Sequence, residues 1–266
     1  MIELLELLLF YLVLGAFAGI MAGLLGVGGG LIIVPSVAWV LHLQGADPGT
    51  IMHLAIGTSL ATIVVTSVSS VRAHHRHGAV LWPAFRQLIP GIVIGALLGA
   101  EVADALPSAT LRVVFAVFVL IIAAQIGFGA KPAPHRGLPG VLGMTAAGGV
   151  IGAVSAIVGI GGGSLTVPFL TWCNVSIRNA VATSAACGLP IAVAGAVGFV
   201  ANGWGKPELP PWSLGYVYTP ALMGISIASM AFAPLGAQLA HRWPTAVLKR
   251  VFAGFLAAVG LKMLIG

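Results

Sequence analysis

Charged side chains are what this 266-residue chain has least of: 12 Lys and Arg and 6 Asp and Glu, 7% of the sequence, against 59% apolar residues. A soluble domain of this size carries about a quarter charged residues. With so few, the chain cannot clothe a water-facing surface, and most of its exterior must face lipid. No carboxylate stands in the middle of an apolar run, which argues against the acidic relays of most proton and cation pumps. The Lys-Ser/Thr of a Walker phosphate loop is missing. No serine, cysteine or histidine pairs into a nucleophile–base unit, so an enzyme is not expected. Cysteine is confined to Cys173 and Cys187, without metal-type spacing. No metal or cofactor is implied, and Cys187 reads as a small buried core residue. The net charge of +6 does not mark a nucleic-acid binder, because the Lys and Arg sit in loops where membrane orientation wants them.

Long apolar runs are what the chain does have, with a mean hydropathy of +1.09, together with 37 Gly and 16 Pro. A spanning helix needs about 20 apolar residues. Runs of that size, without the alternation of a membrane barrel, predict a helical bundle. Such helices tolerate Gly and Pro because their neighbours re-satisfy the freed backbone groups. Ten segments are expected: A 4–25, B 31–43, C 51–71, D 88–105 and E 111–128, then A′ 138–158, B′ 165–173, C′ 180–200, D′ 216–239 and E′ 246–265. The Pro/Gly-rich stretch 129–137 cannot continue a helix. It reads as a cytoplasmic linker between a first membrane repeat, 1–128, and a second, 138–266. The N-terminal run carries Glu3 and Glu6 where a signal peptide is basic, and is expected to be a membrane segment rather than a cleaved leader.

The two halves repeat one another. Gly26-Val27-Gly28-Gly29-Gly30 with Val34-Pro35 recurs as Gly159-Ile160-Gly161-Gly162-Gly163 with Val167-Pro168. Gly57-Thr58-Ser59 recurs as Ala182-Thr183-Ser184, and Leu111-Arg112 with Phe115-Ala116 as Leu248-Lys249 with Phe252-Ala253. Three blocks in one order indicate duplication. Loop charge then sets orientation. Suppose the loop with Arg72 and Arg76 is cytoplasmic and each repeat crosses an odd number of times, either through every segment or with A and B as a re-entrant hairpin. Lys131, Arg136, Arg178, Arg242, Lys249 and Arg250 are then cytoplasmic too. Glu3, Glu6, Asp47, Glu101 and Asp104 fall outside, with Arg112, Lys206 and Lys262 as the exceptions. The expected fold is an all-α polytopic membrane protein of two inverted-topology repeats of about five segments each. Short Gly/Pro-interrupted helices stand near the midplane, as is recurrent in transporters.

Gly28, Gly29 and Gly30 precede B, and Gly161, Gly162 and Gly163 precede B′. Glycines let backbone N–H groups face a cavity unobstructed, and a helix N-terminus adds unsatisfied donors and a positive dipole end, which suits an anion. Pro35 and Pro168 are expected to keep B and B′ irregular. Glycine runs also permit close helix packing, but four in five residues, twice, exceed what packing needs. Ser59, Thr62, Thr66 and Ser69 share one helix face. Thr58 and Ser59 pair by repeat with Thr183 and Ser184, and Ser164 follows the second glycine run. Hydroxyls can donate to anion oxygens without burying a charge, although they also tie helices together. The substrate-binding candidates are therefore Gly28, Gly29, Gly30, Thr58, Ser59, Gly161, Gly162, Gly163, Ser164, Thr183 and Ser184. The run Arg72-Ala73-His74-His75-Arg76-His77 reads as an orientation-setting loop whose positive field gathers anions, rather than a metal site. His53, near the start of C, is the one histidine placed to titrate close to the path, and a loop-edge position explains it as well.

These blocks, with the turn Arg76-His77-Gly78-Ala79-Val80-Leu81-Trp82 after C, resemble the sulfite exporter TauE/SafE family of membrane permeases over nearly the whole chain. The resemblance implies transport of small sulfur anions: sulfite, thiosulfate or an organosulfonate such as sulfoacetate. The sequence departs from the family at Val27 and Ile160, where members often have a further Gly, and Leu31 faces Ser164 across the repeat. The expectation is a secondary or facilitative anion transporter, multi-pass in the cell inner membrane. Its partners would be a sulfur oxyanion or sulfonate and the lipid bilayer, with no nucleic acid and a homodimer as a candidate assembly. One rival is a transporter of a different small anion or metabolite, which competition by sulfite would separate. Another is a non-transporting scaffold subunit, which a tightly packed bundle without a polar midplane cavity would favour.

Overall fold

Helices form where the apolar runs predict them. The computed structural model describes residues 2–25, 29–76, 78–128, 137–240 and 245–265, without the side chains of 2–6, 22–25, 73, 237–240 and 245–249. In chain order the helices are α1 (Ile2–Leu25), α2 (Gly30–Leu43), α3 (Ile51–Arg76), α4 (Trp82–Ala105), α5 (Ser108–Phe128), α6 (Val141–Val158), α7 (Gly163–Trp172), α8 (Ile177–Gly203), α9 (Thr219–Ala240) and α10 (Thr245–Ile265). Among the described residues six, α3, α4, α5, α6, α8 and the 219–236 part of α9, are long and apolar enough to cross a membrane.

Some boundaries differ from the apolar runs for physical reasons. Helix α3 continues to Arg76, because Arg is a good helix former even where its polarity ends a hydropathy run. Helix α4 starts at Trp82 with a proline in its first turn, where the missing N–H has no helical partner to lose. Instead of one membrane segment from 216, the chain first makes a small antiparallel hairpin. Its strands are β1 (Ser213–Leu214) and β2 (Val217–Tyr218), with Ser213 opposite Tyr218. Gly215 turns it at φ +53°. Pro35 and Pro168 lie inside α2 and α7 without breaking them.

Helices α2 and α7 have 14 and 10 residues, about 21 and 15 Å at roughly 1.5 Å per residue, too short for a hydrocarbon core of about 30 Å. The ring of Phe10, early in α1, lies 6.1 Å from that of Trp39, late in α2. Helices α1 and α2 therefore double back on one another. Longer helices pair through small residues that let backbones approach. Helix α1 runs parallel to α9, with Gly15 against Ile225 and Gly19 against Ser229. Helix α4 runs parallel to α6, with Gly91 against Thr145 and Gly99 against Ala153. Helices α3 and α8 are antiparallel, with Gly57 beside Phe199, Leu60 beside Gly195 and Ser67 beside Gly188, and so are α5 and α10, with Gly127 beside Ala253 and Leu120 beside Gly260. The main core, including Leu54, Leu60, Phe115, Phe199 and Leu256, fills the space between them.

Candidate binding site

The second glycine run makes a compact turn between α6 and α7. Gly159 ends α6 in the left-handed region at φ +78°, and Gly162 caps α7 at φ +71°; a side chain is strained at either. The turn lies at mid-depth. Ser59, the ninth residue of α3, donates its hydroxyl to the Gly159 carbonyl at 2.8 Å. A Cβ on Gly188, the twelfth residue of α8, would lie 2.7 Å from the Gly161 carbonyl.

Donors without partners gather here. The backbone N–H groups of Gly161, Gly162, Gly163 and Ser164 have no hydrogen-bond acceptor among the described residues, as expected at the positive end of a helix. Ser164, Thr166 and Ser184 on α7 and α8 are 8%, 0% and 1% exposed, and their hydroxyls have no partner among the described residues. From the first half, Gly30 starts α2 against this turn, where a Cβ would sit 2.5 Å from the Gly159 carbonyl. Gly29 caps α2. Gly28 lies outside the described residues, as does Gly26, the repeat counterpart of Gly159.

Other predicted residues are drawn elsewhere. The Thr58 hydroxyl oxygen accepts from the Tyr218 N–H at 2.9 Å, anchoring the chain as it enters α9. Thr183 does the same for Leu81 N–H, also 2.9 Å, at the entrance to α4. Thr62, Thr66 and Ser69 donate to carbonyls in their own preceding turn, so most of the hydroxyl stripe is used within α3. The turn itself is closely packed, with Gly159 against Val34 and Ile56 and Gly162 against Ile191. Two cavities occur away from it. One of about 490 Å³ lies between α2, α5 and α10. The other, an open cleft of about 650 Å³, is lined by Asp47, His53, Asp104, Lys206 and Tyr216.

That cleft holds a cluster that the sequence reading missed. Lys206 Nζ donates to Asp104 Oδ1 at 2.8 Å and to the Tyr216 hydroxyl at 2.6 Å, and the Tyr216 hydroxyl donates to Asp104 at 2.9 Å. His53, the third residue of α3, is at the loop edge and buried. It is 4% exposed, 4.9 Å from the Tyr216 ring in a stack, with Nε2 3.0 Å from the Ala103 carbonyl. Burial works against the charge on Lys206, but its bonds to Asp104 and Tyr216 outweigh that and hold its pKa above the ordinary lysine value. Burial raises the Tyr216 hydroxyl. Asp104 and Lys206 stand 102 residues apart, so no local motif could have announced them.

Crossing helices, two half-length helices and polar groups at mid-depth define a polytopic α-helical membrane protein. The sequence model of the family described as Sulfite exporter TauE/SafE matches residues 11–263, and the chain belongs to that family. A probable membrane transporter protein of Haemophilus influenzae is 37% identical over 261 residues, covering 96% of this chain and 97% of the relative. One from Methanocaldococcus jannaschii is 25% identical over 269 residues, covering 99% and 97%. The probable membrane transporter protein YdhB of Bacillus subtilis is 25% identical over 266 residues, covering 92% and 96%. No solved structure matches. The protein is a multi-pass membrane transporter.

Proposed function

We propose that this transporter carries a small sulfur oxyanion or sulfonate across the cell inner membrane, bound at the second glycine turn. The amides of Gly161, Gly162, Gly163 and Ser164 and the hydroxyls of Ser164 and Ser184 donate to the anion, and Gly29, Gly30 and Ser59 close the site from the first half. One observation carries the reading: buried hydroxyls without partners on the two helices that meet at the free amide end of α7. A buried polar group left unsatisfied costs about 1–3 kcal/mol, and every unpaired group here can donate. An acceptor-rich anion is the complementary ligand. The family description supplies the sulfur class. Thr58 and Thr183 hold the flanking loops. The turn is closely packed around Gly159 and Gly162, as a scaffold would also be, so binding there requires movement of the α1–α2 or α6–α7 hairpin.

Two inverted repeats give that movement its symmetry. The antiparallel pairs α3–α8 and α5–α10 join repeat counterparts, as a two-fold axis in the membrane plane requires. Thr58 with Tyr218 is mirrored by Thr183 with Leu81. In proteoliposomes loaded with labelled sulfite or thiosulfate, Ser164→Ala/Ser184→Ala is expected to slow flux about tenfold or more, the order of losing two hydrogen bonds, at unchanged protein yield. Wild-type flux in that variant would remove both serines from the site. Failure of the wild-type protein to move any sulfur anion would overturn the substrate class.

A further inference from the structure

Arg112, Lys206 and Lys262 stand at the same end of the bundle as Asp47 and Asp104, the end that the loop charges assign to the outside. Lys206 is accounted for by its ion pair with Asp104. Arg112 and Lys262 come together on the cavity of about 490 Å³ between α2, α5 and α10, with His42 also on its wall and no Asp or Glu among its lining residues. Arg112 Nε is buried and has no acceptor among the described residues. A guanidinium keeps its protons at any working pH, so a buried N–H of this kind calls for an anionic acceptor. Lys262 places Nζ over the Trp39 ring, 5.8 Å from its centre.

Depth and wall chemistry identify the anion. Arg112 is the fifth residue of α5 and Lys262 the fourth from the end of α10, each about 5–6 Å inside its helix end, where lipid phosphates meet hydrocarbon. Beside the cations the walls are Trp39, Met52, Phe255, Val259 and Met263, of which Phe255 and Val259 lie deeper along α10 than Lys262. A small sulfur oxyanion would engage the cations and leave that apolar volume without a partner. We propose that this cavity is a binding site for an anionic phospholipid, its phosphate held by Arg112 and Lys262 and its upper acyl chains lying along Trp39 and Phe255. The site is separate from the glycine turn and does not depend on the substrate assigned there.

The test uses the full-length protein, purified in detergent and given phosphatidylglycerol or phosphatidylcholine of equal chain length, with retained lipid counted by native mass spectrometry. Phosphatidylglycerol is expected to be retained with at least about tenfold preference, the order that two basic residues supply at a membrane surface. Arg112→Gln/Lys262→Gln is expected to lose the preference, and Lys206→Gln to keep it. Equal retention of the two lipids, or a preference that survives the double variant, overturns the proposal. So does displacement by sulfite or glycerol phosphate, which would make the ligand a water-soluble anion. Should the double variant not fold, wild type and Trp39→Phe are compared with brominated lipids. The Trp39 part of the fluorescence is expected to be quenched by brominated phosphatidylglycerol over brominated phosphatidylcholine, and equal quenching overturns the assignment.

Discussion

Thr58 and Ser184 carry the same chemical group at nearly the same burial, yet the fold uses them in opposite ways. The Thr58 oxygen receives the Tyr218 N–H, and Thr183 receives that of Leu81. Removing either acceptor strands a backbone donor, which costs about 1–3 kcal/mol. Ser184 has no partner to strand. Thr58→Val and Thr183→Val should therefore each lower stability by about that amount, with Thr→Ser at the same sites close to neutral. Ser184→Ala should melt at or above the wild-type temperature while transporting less. Thermal unfolding of the purified variants in one detergent checks all of these. A stable Thr58→Val with a destabilised Ser184→Ala would reverse the division between structural and substrate-facing hydroxyls. The sequence could not make that division: the repeat placed Thr58, Ser59, Thr183 and Ser184 as one group, because a repeat reports equivalent positions and not what each side chain meets.

At the scale of the element, the connection between α8 and α9 departs furthest from what apolarity predicts. The membrane helices were legible because a run of about 20 apolar residues has few other ways to satisfy its backbone in lipid. The second glycine run was legible as a turn for the same kind of reason, since Gly159 and Gly162 adopt angles that favour glycine. The β1–β2 hairpin was not legible, because Tyr216, Val217 and Tyr218 look like the start of an apolar segment. What holds them out of α9 is tertiary: Tyr216 N–H donates to the Phe199 carbonyl at 3.1 Å, and the Tyr216 ring and hydroxyl engage His53, Asp104 and Lys206. This cluster has a pH signature. Lys206 and Tyr216 both titrate above their ordinary values of 10.5 and 10.0. A raised native pKa contributes stability that is full below the ordinary value and is lost as pH rises through the raised one. The difference in melting temperature between wild type and Lys206→Met should thus be constant through neutral pH and shrink above pH 10.5. A difference unchanged into that range would mean that the lysine acts by packing alone.

Whole-molecule architecture ties the repeat to transport, and the loops offer a direct reading of it. If the halves are inverted, equivalent loops open on opposite faces of the membrane. The loop between α3 and α4 and the connection between α8 and α9 are such a pair: each docks on the threonine of the other half's long central helix, Thr183 for the first and Thr58 for the second. Gly78 and Gly205 sit in these loops with open space where a Cβ would point, but both have positive φ. Neighbouring exposed positions are therefore better labelling sites: His75, the penultimate residue of α3, and Trp204 just after α8, both exposed to solvent. In a chain with Cys173 and Cys187 replaced by Ala, His75→Cys should react with a membrane-impermeant maleimide only from the cytoplasmic face, because Arg72 and Arg76 flank it. Trp204→Cys should react only from the opposite face. Labelling of both from one side would make the halves parallel. A two-fold axis in the membrane plane would then be impossible, and the paired threonine contacts would have to arise without it. Labelling from opposite sides places the second glycine turn, at mid-depth between the two loops, within reach of either face once one hairpin moves, which is the geometry alternating access needs.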